Sequence, residues 1–188
     1  MCIRDRFLDI DPRMCAYAHC DEHVKSKIPI YTKLLSTAHH LLDPKGKIVP
    51  YLEEPDPNYK IIGELDSVPM TASWVKANHD NYMWMHDLWF WIHKEHWYRY
   101  DDMHEDWTNL YNKLSHTPEN ITKGELTSPP PFVPIEYIVH GLEDEFQNTI
   151  ESNRSYYKNW VTENNAKWGG IVENMRTPPS WIIENANI

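Results

Sequence analysis

Eleven histidines stand in this chain of 188 residues, and two groups of them have spacings that carry chemistry. His19 and His23 are one helical turn apart, with Glu22 three residues from His19, so on a helix all three converge on one side. Two imidazoles so placed can share a metal ion, and the carboxylate can move a proton. The plain alternative is an ordinary packed or surface pair, since this spacing recurs by chance in a histidine-rich chain. Further along, His79, His86 and His93 repeat every seven residues and His96 follows three later, which places them on one helical stripe. Tyr82, Trp89 and Phe90 interleave with them, and burial among such rings favours neutral imidazoles fit for metal ligation or proton transfer. Residues 79 and 86 lie roughly 10 Å apart along a helix, so one ion cannot take the whole stripe.

The site expected from these patterns lies between the first and second helices. Its catalytic residues are Glu22, His23 and His86. Its metal ligands are drawn from His19, His23, His79 and His86, with a divalent ion, zinc or iron, as the cofactor. Tyr82, Trp89, Arg99 and Tyr100 are the expected substrate contacts, Arg99 because its planar fork suits phosphate or carboxylate. A salt bridge from Arg99 to Glu95, Asp101 or Asp102 is the structural alternative. Asp21, Asp80, Asp87 and Glu95 are close enough in sequence to assist. The Glu-x-x-His signature of di-iron bundles fails, because Glu22 leads to Lys25 and Glu105 to Thr108. Phosphate-loop, dinucleotide, zinc-protease and serine-hydrolase signatures are absent. The competing reading is a structural aromatic and histidine core.

These residues need helices to position them. Asp11-Pro12 is a helix start, and apolar positions spaced by three and four residues run from Tyr17 to Leu42, with Pro29 expected to kink or split the helix. A second helix is expected from about residue 69 to 100, apolar over much of its girth and therefore central. Residues 103–114 predict a third helix and residues 135–161 a fourth. Residues 7–10 read as a short N-terminal strand. Residues 47–68, rich in proline, form a long connection expected to cover the site, and Trp181 is expected to dock on the bundle. The result is an all-α class: a compact bundle of four to five helices with long proline-containing loops, one domain over residues 7–188. Met1 to Arg6 read as the translation of a sequencing adapter.

Composition sets the remaining limits. Nine tryptophans and eleven tyrosines require a core of large amphipathic rings. A net charge of −10 works against non-specific nucleic-acid binding, so any such contact must be local. Lys25, Lys27 and Lys33 read as an ordinary solvated face. Three cysteines without paired spacing predict neither disulfides nor a thiolate zinc site. With no membrane-length apolar run and no signal-like start, a cytoplasmic protein is expected.

The runs FLDIDPRMCAYAHCDEHVKSK, LLSTAHHLLD, NHDNYMWMHDLW and KEHWYRY resemble an uncharacterised family encoded by tailed phages of aquatic bacteria. The family's pattern falls here on Leu8-Asp9, Asp11-Pro12, His19-Cys20-Asp21 with His23, Asn81-Tyr82 with Trp84, Arg99-Tyr100, and Arg176 to Trp181. The likeness covers residues 7–104 and, loosely, 154–181, with Glu22 in place of a usual lysine. It implies a phage origin, hence the cytoplasm of an infected bacterium, and a shared fold. A fainter likeness is to phage pyrimidine-dimer DNA glycosylases, which attack through an N-terminal amine helped by a glutamate that only Glu22 could match. The functional expectation is a small helical phage enzyme with a histidine and carboxylate site acting on a nucleotide or nucleic-acid base. A glycosylase-like repair enzyme and a non-enzymatic protein with an aromatic docking surface are the alternatives.

Overall fold

Asp11 and Pro12 open the first helix as their residue types require. In the computed structural model, which describes residues 7–43, 70–171 and 176–183, Asp11 caps α1 (Pro12–Ala18) by accepting the N–H groups of Arg13 and Met14 at 2.8 and 3.2 Å. Pro12 fills the first turn, where no donor is needed. The one helix expected up to Leu42 is two, and the break is not at Pro29. α2 (Asp21–Leu42) carries Pro29 in its interior, at the cost of the helical donor to the Lys25 carbonyl. The chain breaks at His19 and Cys20 because other elements supply donors to the carbonyls that α1 leaves open. The Trp168 indole N–H reaches the Ala18 carbonyl at 3.3 Å, and Arg99 reaches those of His19 at 2.9 Å and Tyr17 at 3.4 Å.

A second expected helix is also divided, into α3 (Met70–Val75) and α4 (His79–Tyr100). The Asn78 side-chain oxygen caps α4, accepting the Asn81 N–H at 2.9 Å. The segment after α5 satisfies the gap: the His79 N–H donates to the Thr122 carbonyl at 2.9 Å and the Asn78 amide to that of Glu125 at 3.1 Å. α5 (Glu105–Leu114) matches its expectation closely. α6 (Glu145–Glu163) starts ten residues later than expected, behind a 3-10 turn at Ile135–Tyr137, because Asp144 is the residue that caps it, accepting the Phe146 N–H at 2.8 Å. α7 (Ser180–Ile183) is a single turn.

The described residues form an all-α bundle of seven helices and no strand. The strand expected over residues 7–10 does not form, since no second strand is there to pair with it. Phe7 instead packs on Trp74 and Trp84 at 5.4 and 5.3 Å, and the Leu8 carbonyl accepts from Arg154 at 2.8 Å. α4 packs along α1 and α2, and α2 also meets α3 and α5. One continuous buried cluster runs through them. Trp181 docks on α6, 6.2 Å from the Tyr157 ring and beneath the Arg154 guanidinium. Burial pushes the Cys15 thiol up to about 12, so at neutral pH it is an inert core group. Among the described residues no helix is long and apolar enough to cross a membrane. The connection expected to act as a lid, residues 47–68, lies outside the described residues.

Candidate functional site

Arg99, at the C-terminal end of α4, is fully buried, and its donors decide what it does. Nε and Nη2 both stand 3.0 Å from Glu95 Oε2, Nη1 donates to the His19 carbonyl at 2.9 Å and to Asp21 Oδ1 at 3.1 Å, and Nη2 reaches the Tyr17 carbonyl. These contacts use all five guanidinium N–H groups. Arg99 is therefore not an anion-binding group at the edge of a site, as expected from sequence. It caps α1 and neutralises Glu95 and Asp21. Glu95 is 1% exposed and also accepts from Arg176, at 3.1 Å from Nε and 2.6 Å from Nη2. Asp21 Oδ2 accepts the N–H groups of Gly169 and Gly170 at 2.7 and 3.1 Å. Gly170 has φ +52°, and a Cβ there would lie 2.9 Å from both Cβ and O of Arg99.

His19 and His23 do come together, with ring centroids 6.3 Å apart, but His19 ends α1 while His23 sits in α2. His19 Nδ1 lies 2.7 Å from the Cys15 carbonyl, which can only accept, so Nε2 is the acceptor for the Tyr31 hydroxyl at 3.2 Å. The Tyr157 hydroxyl accepts the Cys20 N–H at 2.8 Å and lies 3.1 Å from His23 Nδ1. His23 also lies against Trp160 at 4.2 Å, so it faces α6 rather than α4. This cluster is sealed from solvent.

The other expected members do not join it. Glu22 points into solvent on α2, so it is no acid partner for His23. His79 is exposed in the first turn of α4, with Nδ1 2.8 Å from Asp80 Oδ1. His86 is buried against Trp89, ring centroids 5.8 Å apart, and neither of its ring nitrogens has a hydrogen-bond partner. Among the described residues no three or more His, Cys, Asp or Glu side chains are placed to hold a metal ion, so the expected set of His19, His23, His79 and His86 does not converge. Tyr82 and Trp89 are core residues rather than substrate contacts. The Tyr82 hydroxyl donates to the Leu114 carbonyl at 2.8 Å and lies 2.9 Å from His39 Nε2, and the Trp89 indole donates to Thr32 Oγ1 at 2.8 Å. Lys27, read as part of a solvated face, is 2% exposed.

A different group of imidazoles assembles where α4 ends and α5 begins. His93 and His96 from α4 meet His104, the N-cap of α5, with ring centroids 5.9 and 6.1 Å from that of His104. The sequence places His93 and His96 on the histidine stripe, but the expected site includes neither of them, nor His104, which belongs to no periodic pattern. Its signal was its place before Glu105 and Asp106 at a helix start. His93 Nδ1 lies 2.8 Å from the Trp89 carbonyl and His96 Nδ1 2.9 Å from that of Asp102, so both carry the proton on Nδ1 and a lone pair on Nε2. His104 is the opposite tautomer, because its Nδ1 accepts the Asp106 N–H at 3.2 Å and the proton resides on Nε2. Burial pushes His93 down to about 4 and lowers His96 as well, so both are neutral at pH 7. His93 Nε2 is buried and has no hydrogen-bond partner. His104, with its side chain 25% exposed, is the member of the three that reaches solvent, His93 and His96 being buried. Tyr100 and Trp107 flank the cluster, 5.2 Å from His96 and 5.5 Å from His93 respectively, and the buried Trp89 ring lies 4.4 Å from that of His93. Tyr100 and Trp89 are thus the expected substrate contacts that border it, Tyr100 at the surface and Trp89 in the core.

A cleft of about 360 Å³ lies elsewhere, between residues 128–131, 138–140 and the start of α6. It contains none of the expected site residues. No protein family matches this chain, and no curated protein or solved structure matches it.

Proposed function

We propose that the chain is a small helical phage enzyme that performs acid–base chemistry with neutral imidazoles on a nucleotide or nucleic-acid base, at His93, His96 and His104. The observation that carries this reading is the partnerless Nε2 of His93. A buried polar atom without a hydrogen bond costs roughly 1–3 kcal/mol, which a ligand donor at that atom recovers. His93 Nε2 accepts a proton from the substrate while the Nε2–H of His104 donates one. An anionic substrate raises the depressed basicity of His93 toward the working range. Tyr100, beside His96, supplies a ring for a base to rest on.

A divalent zinc or iron ion is the metal-dependent form of the same reading. His93 and His96, each with Nδ1 tied to a backbone carbonyl, have the outer hydrogen bonds usual for metal-ligating histidines. His104 would have to release the Asp106 N–H and turn before it could join them. Metal content of the purified chain separates the two forms. The docking-surface alternative is favoured by one observation of its own, the solvent-exposed Trp97 and Tyr98 on α4.

The test is incubation of the full chain with nucleosides, nucleotides and single-stranded oligonucleotides, with products read by mass spectrometry. Conversion of at least one class is expected, falling about a hundredfold or more in His93→Gln while the helical circular dichroism is kept. No conversion of any compound, with no shift of the His93 ring nitrogen resonances by millimolar nucleotide, overturns the reading.

A further inference from the structure

The outward side of α4 is unlike an ordinary solvated helix face. Between Met83 and Tyr98 its solvent-reaching side chains include Phe90, Trp91, Trp97 and Tyr98, one cation, Lys94, and one acid, Asp87. Trp97 is 48% and Tyr98 41% exposed. Trp97 and Tyr98 face water side by side with the half-buried Phe90 and Trp91 behind them, and a cluster of large rings so placed marks a surface that binds something.

Cations lie on these rings. Lys94 Nζ sits 5.4 Å from the centroids of Phe90 and Trp97 and 5.2 Å from that of Trp107. The Arg13 guanidinium lies 4.8 Å from the Trp91 ring, and that of Arg176 4.1 Å from the Tyr98 ring. Arg176 is neutralised by Glu95, but Arg13 and Lys94 have no carboxylate partner among the described residues. In a chain of net charge −10, this local arrangement selects for an anionic partner with flat faces.

We propose that the outer stripe of α4 is a track for single-stranded nucleic acid, with bases stacked on Trp97 and Tyr98 and phosphates held by Lys94 and Arg13. Exposed bases have the faces that such rings need, and a backbone of phosphates supplies the charge that Arg13 and Lys94 lack. A neutral glycan would also stack on the rings but would leave both cations unmatched. Duplex DNA hides its base faces. The track leads to the imidazole cluster, because Trp107, under Lys94, lies 5.5 Å from His93. The inference thus deepens the proposed function by naming a polymeric, single-stranded substrate, and it rests on that reading only at its catalytic end.

The experiment uses the full chain and a labelled 20-nucleotide oligothymidylate, with binding followed by fluorescence anisotropy across a salt series. Binding that weakens with salt is expected, with a duplex of equal length bound at least tenfold more weakly. Trp97→Ala should weaken binding roughly tenfold to a hundredfold, as loss of one stacking platform does. Trp97→Phe should restore most of it, and Lys94→Gln should lower the salt slope by about 0.7. His93→Gln should lose conversion while keeping the salt slope and the dependence on Trp97 and Lys94, so failure of catalysis and failure of the track give different results. Absence of binding at low salt, binding indifferent to Trp97→Ala, or equal competition by cellohexaose overturns the proposal.

Discussion

Arg99 shows how burial decides between two meanings of one side chain. Its fork is spent on Glu95, Asp21 and two backbone carbonyls, which leaves nothing for a ligand. Arg99→Lys keeps the charge but cannot reach these acceptors together, and it strands buried acceptors. We expect a loss of about 3–5 kcal/mol, read as a lower urea midpoint, with no specific effect on ligand binding beyond that instability. The same residue marks what sequence could disclose. Its need for a buried acid followed from the aromatic company it keeps, and Glu95 one turn earlier was a visible candidate. The carbonyls of Tyr17 and His19, some eighty positions away in the chain, were not, because only tertiary packing places them there. For the candidate site, His93 and His96 stood on the legible histidine stripe, but the set expected from sequence drew on His79 and His86 of that stripe instead. His104 was not legible, since it enters from the next helix through a cap. Glu22 and His19 had the right types, but α1 ends between them, and the phase that would have put them together is lost.

At the scale of elements, the helix existence was legible in the three-and-four spacing of apolar residues, whereas the breaks were not. Both unexpected breaks, after Ala18 and after Val75, are stabilised by donors and acceptors from distant segments: Trp168 and Arg99 at the first, residues 122–127 at the second. Local preference alone favoured Pro29 as the break, yet α2 runs unbroken through it. The segment bearing Gly169 and Gly170 closes the first break by lying on Asp21 and on the end of α4. Gly170 needs a left-handed backbone and has no room for a Cβ beside Arg99. Gly170→Ala should therefore destabilise by about 2 kcal/mol or more, combining the left-handed penalty with the contact. Gly141, at φ +92° with open space around its Cβ position, is the control: it carries the backbone penalty without the contact. A thermal melt in which the Gly170 variant equals the parent removes this account of the loop.

For the whole molecule, the buried histidines set the pH response. Burial lowers His93, to about 4, and also His39 and His96. The unfolded chain takes up protons at these groups below pH 6.5 while the folded chain resists until lower pH. Their contribution is thus fully present above about pH 6.5 and is lost as pH falls toward 4, by up to about 3 kcal/mol for His93 alone. Stability at pH 5 should be well below that at pH 7.5 in chemical denaturation, and His93→Gln should flatten the difference. An unchanged midpoint between those pH values would mean that these imidazoles are not held neutral by the fold.

The ties that close the bundle also set the order in which it can be made. Cys20 is bonded to Tyr157, Ala18 to Trp168, Asp21 to Gly169 and Gly170, and Glu95 to Arg176. On a translating ribosome α1 and α2 emerge first, with these groups still facing water. At about 5–20 residues per second, their partners follow on the order of ten seconds later. Through that interval the early helices expose the aromatic surfaces that the late segment will bind. The nascent chain therefore passes through a stage with unburied apolar surface, and its yield in a cell should follow the supply of chaperones that cover such surface more closely than it follows the equilibrium stability of the finished protein.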